Sequence, residues 1–205
     1  GRAAAAPAGP PPGKGGGETP EFGLPPKRES ARKGTATLED DSEKSFDTVL
    51  QELTAIQKDG PRKVAILGTR YMSYLHQQLV ELLTYANVLV GNHVITSGAG
   101  GTNAAVIRGA LRADENTELL TVVLPQSLYK QPMDAQDQLK KVSNLIEMKQ
   151  NDDLPLDVAS KLCNSDILSR CTHFTAFAFH DSDVVLEAAR EAKALSKVVT
   201  LLYLD

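Results

Sequence analysis

Tryptophan is absent from these 205 residues, and aromatic side chains make up only 5% of them. A stacking platform for unpaired bases needs aromatic faces, so any such platform here is small. Cysteine is almost as scarce. Cys163 and Cys171 are the two, with no CxxC spacing, which argues against a disulfide framework and leaves no metal site expected. Both are read as reduced, buried small residues, with a redox pair as the other reading. No run approaches the ~18 apolar residues that argue for a membrane-spanning helix. Positive charge is also short: 22 Lys and Arg against 26 Asp and Glu give a net charge of −4. That balance supplies no general attraction to nucleic acid, although a local basic patch stays open.

Apolar side chains are missing from the first part of the chain as well. Residues 1–34 are rich in Ala, Gly and Pro (Ala3 to Ala6, Pro10 to Pro12, Gly15 to Gly17, Pro25 and Pro26), with no acidic residue before Glu18. Such a segment has little to bury and cannot offset its ordering entropy. Residues 1–44 are therefore expected to be a disordered tail or linker. An Ala-rich, acid-poor start that opens on Gly1 suits the remnant of an organelle transit region, and an ordinary flexible tail suits it equally. The acidic cluster Glu39, Asp40, Asp41 and Glu43 reads as a solubilising linker. Residues 45–205 are expected to form one domain, long enough for a single core.

Within that domain, helix and strand patterns alternate. Helices are expected over 45–56, 75–90, 134–141, 156–169 and 183–195, and one more from the Gly-rich turn to residue 113. Pro155 is a suitable first-turn residue for the 156–169 helix. Strands are expected over 64–68, 93–96, 119–124, 145–148, 174–179 and 198–203. Short buried strands separated by helices of this length argue for an α/β fold: a Rossmann-like, doubly wound, mostly parallel sheet flanked by helices. Ligands in such sheets bind beyond the carboxyl ends of the strands. The residues to watch are therefore Gly68-Thr69-Arg70, Ser97 to Asn103, Pro125 to Tyr129 and His180 to Asp183.

One of those loops is distinctive. The β-branched run Val94-Ile95-Thr96 breaks into Ser97-Gly98-Ala99-Gly100-Gly101-Thr102-Asn103 and then opens into the Ala-rich stretch Ala104-Ala105-Val106-Ile107-Arg108-Gly109-Ala110-Leu111. In a strand–loop–helix turn of this kind, glycines let backbone approach an anion, and the amino end of the helix points at it. The same glycines also serve a tight strand-to-helix packing turn. Arg70 reads either as a phosphate clamp or as an exposed ion-pairing arginine.

Taken in order, these motifs resemble the DNA-processing protein A (DprA/Smf) family, within the Rossmann-like superfamily that also holds the LOG-type nucleotide proteins. The resemblance covers roughly residues 63–205. Ala65-Ile66-Leu67-Gly68-Thr69-Arg70 is similar to that family's first strand and G-S-R turn. Ser97 to Ala105 with Arg108-Gly109-Ala110-Leu111 is similar to its S-G-x-A-x-G-I-D-x-x-A-H-x-G-A-L element. Leu124 to Tyr129 and Leu162-Cys163-Asn164-Ser165-Asp166-Ile167 stand where the family has its Tyr-Pro turn and its P-R-N-R-x-I motif. The departures matter. The Gly loop is one residue short, Asn103 stands in place of the acid, Ile107 falls near the family's His, and Cys163 and Ser165 replace two arginines that suit phosphate contact. LOG-type enzymes carry a phosphate-cradling P-G-G-x-G-T-x-x-E; here the stretch is Phe179-His180-Asp181-Ser182-Asp183-Val184-Val185-Leu186-Glu187, which keeps only the acid.

The resemblance, so qualified, implies a non-catalytic DprA-like module that binds a nucleotide or nucleic-acid end. Its expected binding residues are Gly68, Thr69, Arg70, Ser97, Gly98, Gly100, Gly101 and Thr102, with Asn103 and Asn164 bonding the sugar or base. Gly101→Asp is expected to abolish binding while leaving the melting temperature largely intact. No cofactor is expected beyond a bound nucleotide or phosphate. The alternative is a degenerate-site assembly subunit of a larger, organellar complex, chloroplast favoured, with the tail docking on a protein partner. The third reading is a LOG-type nucleotide phosphoribohydrolase using Glu187. His180 beside Asp181 reads as a surface histidine, and pairing of two such domains stays open.

Overall fold

The computed structural model describes residues 47–51, 53 and 61–204. The expectations for residues 1–44, and for both ends of the 45–56 helix, lie outside them. Residues 47–51 and 53 are helical, and Val49 is buried. Six strands follow, β1 Lys63–Gly68, β2 His93–Ser97, β3 Leu120–Leu124, β4 Asn144–Glu147, β5 His173–Ala178 and β6 Val198–Tyr203, in one sheet ordered β4-β3-β2-β1-β5-β6. Every pairing is parallel, so the sheet is parallel throughout rather than mostly so. Five helices connect the strands: α1 Tyr74–Leu89, α2 Thr102–Ala113, α3 Met133–Leu139, α4 Leu156–Arg170 and α5 Asp183–Ala194.

The strand period of two explains how one sheet supports two helical layers. Val64, Ile66, Val94, Val122 and Phe177 point into a core with Val80 and Leu83 of α1, Val106 and Ile107 of α2, and Leu139 of α3. Their neighbours Ala65, Leu67, Ile95, Val123, Phe174 and Ala176 point the other way, onto Cys163, Ile167 and Leu168 of α4 and Ala188, Ala189 and Ala192 of α5. In the first layer α2 lies close on α1: a Cβ added at Gly109 would stand 2.4 Å from the Glu81 carbonyl oxygen. Arg108 and Arg112 then both reach Glu81, at 3.3 and 3.6 Å.

The winding direction decides where a ligand can enter. From β1 the chain steps outward through β2 and β3 to β4, then returns through α4 to place β5 on the other side of β1. The loops after β1 and β5 consequently part in opposite directions, and a crevice opens between them at the carboxyl edge.

Candidate functional site

Gly68 closes β1 at the floor of this crevice. A Cβ there would lie 2.4 Å from Thr102 Oγ1 and 2.5 Å from the Phe177 carbonyl oxygen, so the turn works only without a side chain. Thr69 donates its amide to the Phe177 carbonyl at 2.9 Å. In return its own carbonyl accepts from both the amide (3.1 Å) and the hydroxyl (3.0 Å) of Thr102. The β1 loop and the Gly loop are thus stitched together across 33 positions.

The Gly loop is held from within by a buried polar set. Asn103 donates Nδ2 to Ser97 Oγ at 3.0 Å, and Thr96 Oγ1 lies 2.8 Å from the Ile66 carbonyl and 3.2 Å from Asn103 Oδ1. Asn103 is only 4% exposed. Gly101 precedes α2 with φ 65° and ψ −119° and no side-chain cap. The amides of Gly100, Gly101, Asn103 and Ala104 hydrogen-bond none of the described residues, as the first turn of a helix leaves its donors free for an anion.

Two adjoining clefts share this edge. The larger, about 610 Å³, is lined by Gly68, Thr69, Arg70, Tyr71, Ser97 and Asn103 on one side and by Asp157, Ser160, Asn164, Asp181 and Asp183 on the other. The smaller, about 310 Å³, takes in Gly98, Gly100, Gln126, Lys130, Gln131 and Cys163, and shares Arg70, Ser97, Ser160 and Asn164 with the first. Both volumes fall within the range of small-molecule sites, ~300–1,000 Å³. Arg70 is exposed on the border between them, and its guanidinium forms neither hydrogen bond nor ion pair with a described residue.

Of the residues expected at the site, the structure brings Gly68, Thr69, Arg70, Ser97, Asn103 and Asn164 to the larger cleft and Gly98 and Gly100 to the smaller. Gly101 and Thr102 line neither; they face the β1 loop. Glu187 also lies outside both linings, where it pairs with Lys161 across α4 and α5 at 2.9 Å. His180 stacks on Tyr203 with ring centroids 4.3 Å apart.

Sequence reasoning missed the contribution of α4's start, Leu156, Asp157 and Ser160. The same rule that singled out the other post-strand loops would have found it, had it been applied after β4. It also missed a latch behind the smaller cleft. The Asp152 carboxylate accepts the Ser127 amide at 2.8 Å, the Ser127 hydroxyl, and the Tyr129 phenol at 3.1 Å, and Lys130 Nζ reaches the Asp152 carbonyl. The Ser127 hydrogen bonds hold the Asp152 carboxyl below the usual carboxylate range, and the bond to Asp152 pushes the Tyr129 phenol up.

Both cysteines are free and buried. Cys163 donates to the Val123 carbonyl at 3.3 Å, and burial pushes its thiol up to about 12. The folded thiol therefore stays protonated while the unfolded one, near 9.0, ionises. Its contribution to stability is complete below about pH 9 and is lost as pH rises toward 12. Native protein at pH 8 should accordingly leave Cys163 unalkylated by iodoacetamide for as long as it stays folded; peptide mass spectrometry reads this, and rapid native labelling would contradict the burial.

No family model matches the sequence, and no curated protein matches it either. Solved structures do share its fold. One is DNA processing protein A from Helicobacter pylori, described with its single-stranded DNA binding mode, at 19% identity and TM-score 0.60 over 74% of this chain and 67% of that one. Another is DprA from Streptococcus pneumoniae, at 18% identity and TM-score 0.54 over 74% and 52%. The chain spans about half the length of the second protein. The fold is DprA-like, as the resemblance in the sequence implied.

Proposed function

We propose that this domain is a non-catalytic module that binds a nucleotide or the end of a single-stranded nucleic acid, holding a phosphate between Arg70 and the Gly loop. One observation carries the reading: the Arg70 guanidinium borders both clefts without a partner among the described residues, and the amides of Asn103 in the larger cleft and Gly100 in the smaller hydrogen-bond no described residue. Arginine and oriented amides together form an anion site, and backbone contact positions a nucleic acid without reading its sequence. Single-stranded DNA binding by the Helicobacter pylori protein of like fold supports it. The non-catalytic reading is supported by the place of Glu187, the one acid the hydrolase alternative would use: it lies outside both cleft linings and pairs with Lys161.

Fluorescence anisotropy with a short mixed-sequence oligodeoxynucleotide, and thermal shift with nucleoside monophosphates, test the proposal at low and moderate salt. Arg70→Ala should weaken binding about tenfold and lower the salt slope by roughly 0.7, the value for one fewer phosphate neutralised on a single strand. Unchanged affinity in Arg70→Ala would overturn the site. No saturable binding by the wild type would favour the alternative, a scaffold that has kept the fold without the ligand.

A further inference from the structure

The larger cleft is charged oppositely at its two walls. Arg70 and the Gly loop supply positive potential on the β1–β2 side, whereas Asp157, Asp181 and Asp183 line the side formed by α4 and α5. Asp157 has the positive charge of Lys161 nearby. The carboxylates of Asp181 and Asp183 have no partner among the described residues, and both are exposed to the cleft. Both also complement the dipole of α5, Asp183 as its first residue and Asp181 as the residue before its Ser182 cap. A phosphate is repelled from that wall and drawn to the opposite one, so the polarity orients a nucleotide. Its phosphate lies at Arg70, and its base lies toward the carboxylates. Tyr71, 84% exposed and lining the same cleft, offers a ring for that base to stack on.

Ionised carboxylates only accept hydrogen bonds, and this discriminates among bases. Guanine presents N1–H and N2–H₂ side by side, two parallel donors that match one carboxylate. Adenine and cytosine each present an amino group. Uracil and thymine present a single N3–H between two carbonyl oxygens, which a carboxylate repels. We infer that the cleft selects nucleotides whose base carries an exocyclic amino group, guanine foremost, with Asp181 and Asp183 as the specificity-determining residues. This rests on the anion-site reading above and adds the base to it.

Isothermal titration of GMP, AMP, CMP and UMP into the full chain, into Asp181→Asn and into the double variant Asp181→Asn/Asp183→Asn tests the inference. GMP should bind the wild type about tenfold or more tighter than UMP, the size expected for one good paired contact. The double variant should compress the four to within about twofold, and Asp181→Asn should fall between. A merely dipole-complementing role would lower the melting temperature of the variants and leave the ranking intact. Equal affinity for all four nucleotides, or a ranking that survives in the double variant, overturns the inference. If the four bind equally and Arg70→Ala still weakens binding, the anion site stands and only its selectivity falls. If no nucleotide and no oligonucleotide binds, both fall.

Discussion

Gly101→Asp should lower the melting temperature by about 6–12 °C, while Gly100→Ala should leave it within about a degree. A Cβ at Gly101 would stand 2.3 Å from the Arg70 carbonyl oxygen, 2.5 Å from its carbon and 2.6 Å from the Thr69 carbonyl oxygen. All three are backbone atoms and cannot rotate away. The φ of 65° adds strain that a side chain rarely tolerates. Strain and overpacking together cost about 3 kcal/mol or more, and each kcal/mol shifts a domain of this size by roughly 2–4 °C. Around Gly100 nothing lies within 4 Å. The expectation that Gly101→Asp spares stability is therefore corrected: Gly101 is an architectural glycine, and Gly100→Asp is the variant that places a carboxylate in the smaller cleft without a backbone clash. Differential scanning calorimetry of the two alanine variants decides it. A Gly101→Ala protein as stable as wild type would show that the two loops do not meet as described.

Phe177→Ala should remove about 3–5 kcal/mol of unfolding free energy, the cost typical of emptying a well-packed aromatic site. Phe177 is 2% exposed in the layer beneath α1 and α2. It sits on β5, opposite Gly68 in the central β1–β5 pairing, so no edge is near to let the gap collapse. Its backbone carbonyl, which receives the Thr69 amide, survives the substitution. The loop after β1 should keep its anchor, and ligand affinity measured well below the transition should change little. Urea unfolding gives the stability. A loss under about 1 kcal/mol would mean that neighbouring side chains close over the site.

Element types were legible because local pattern and tertiary burial agree. The six strands carry the apolar runs that a sheet covered on both faces requires, and their observed limits differ from expectation by about a residue. The differences have local causes. β5 stops at Ala178 rather than at residue 179 because the Phe179 amide is taken by Ser182 Oγ at 3.0 Å. The 134–141 helix starts at Met133 behind Pro132 and ends at Leu139. The site was legible as a set of loops but not as a division of labour within them. Gly100 and Gly101 are adjacent and identical in sequence, yet one faces open space and the other the Arg70 backbone. Only an approach by a residue from the far end of another strand separates them, and no local pattern encodes it. The Asp152 latch escaped for the same reason, since Ser127 is 25 positions distant.

The stitching of Thr102 onto the Thr69 carbonyl has a consequence for the timing of cost. A binding surface made of two independent loops must be ordered when the ligand arrives, and the freedom given up then weakens affinity. Here the loops lock to each other as the chain folds, because the sheet brings β1 and β2 side by side. The freedom is surrendered before any ligand is met. What remains to be immobilised on binding is chiefly the Arg70 side chain, the one cation among the described residues that both clefts share.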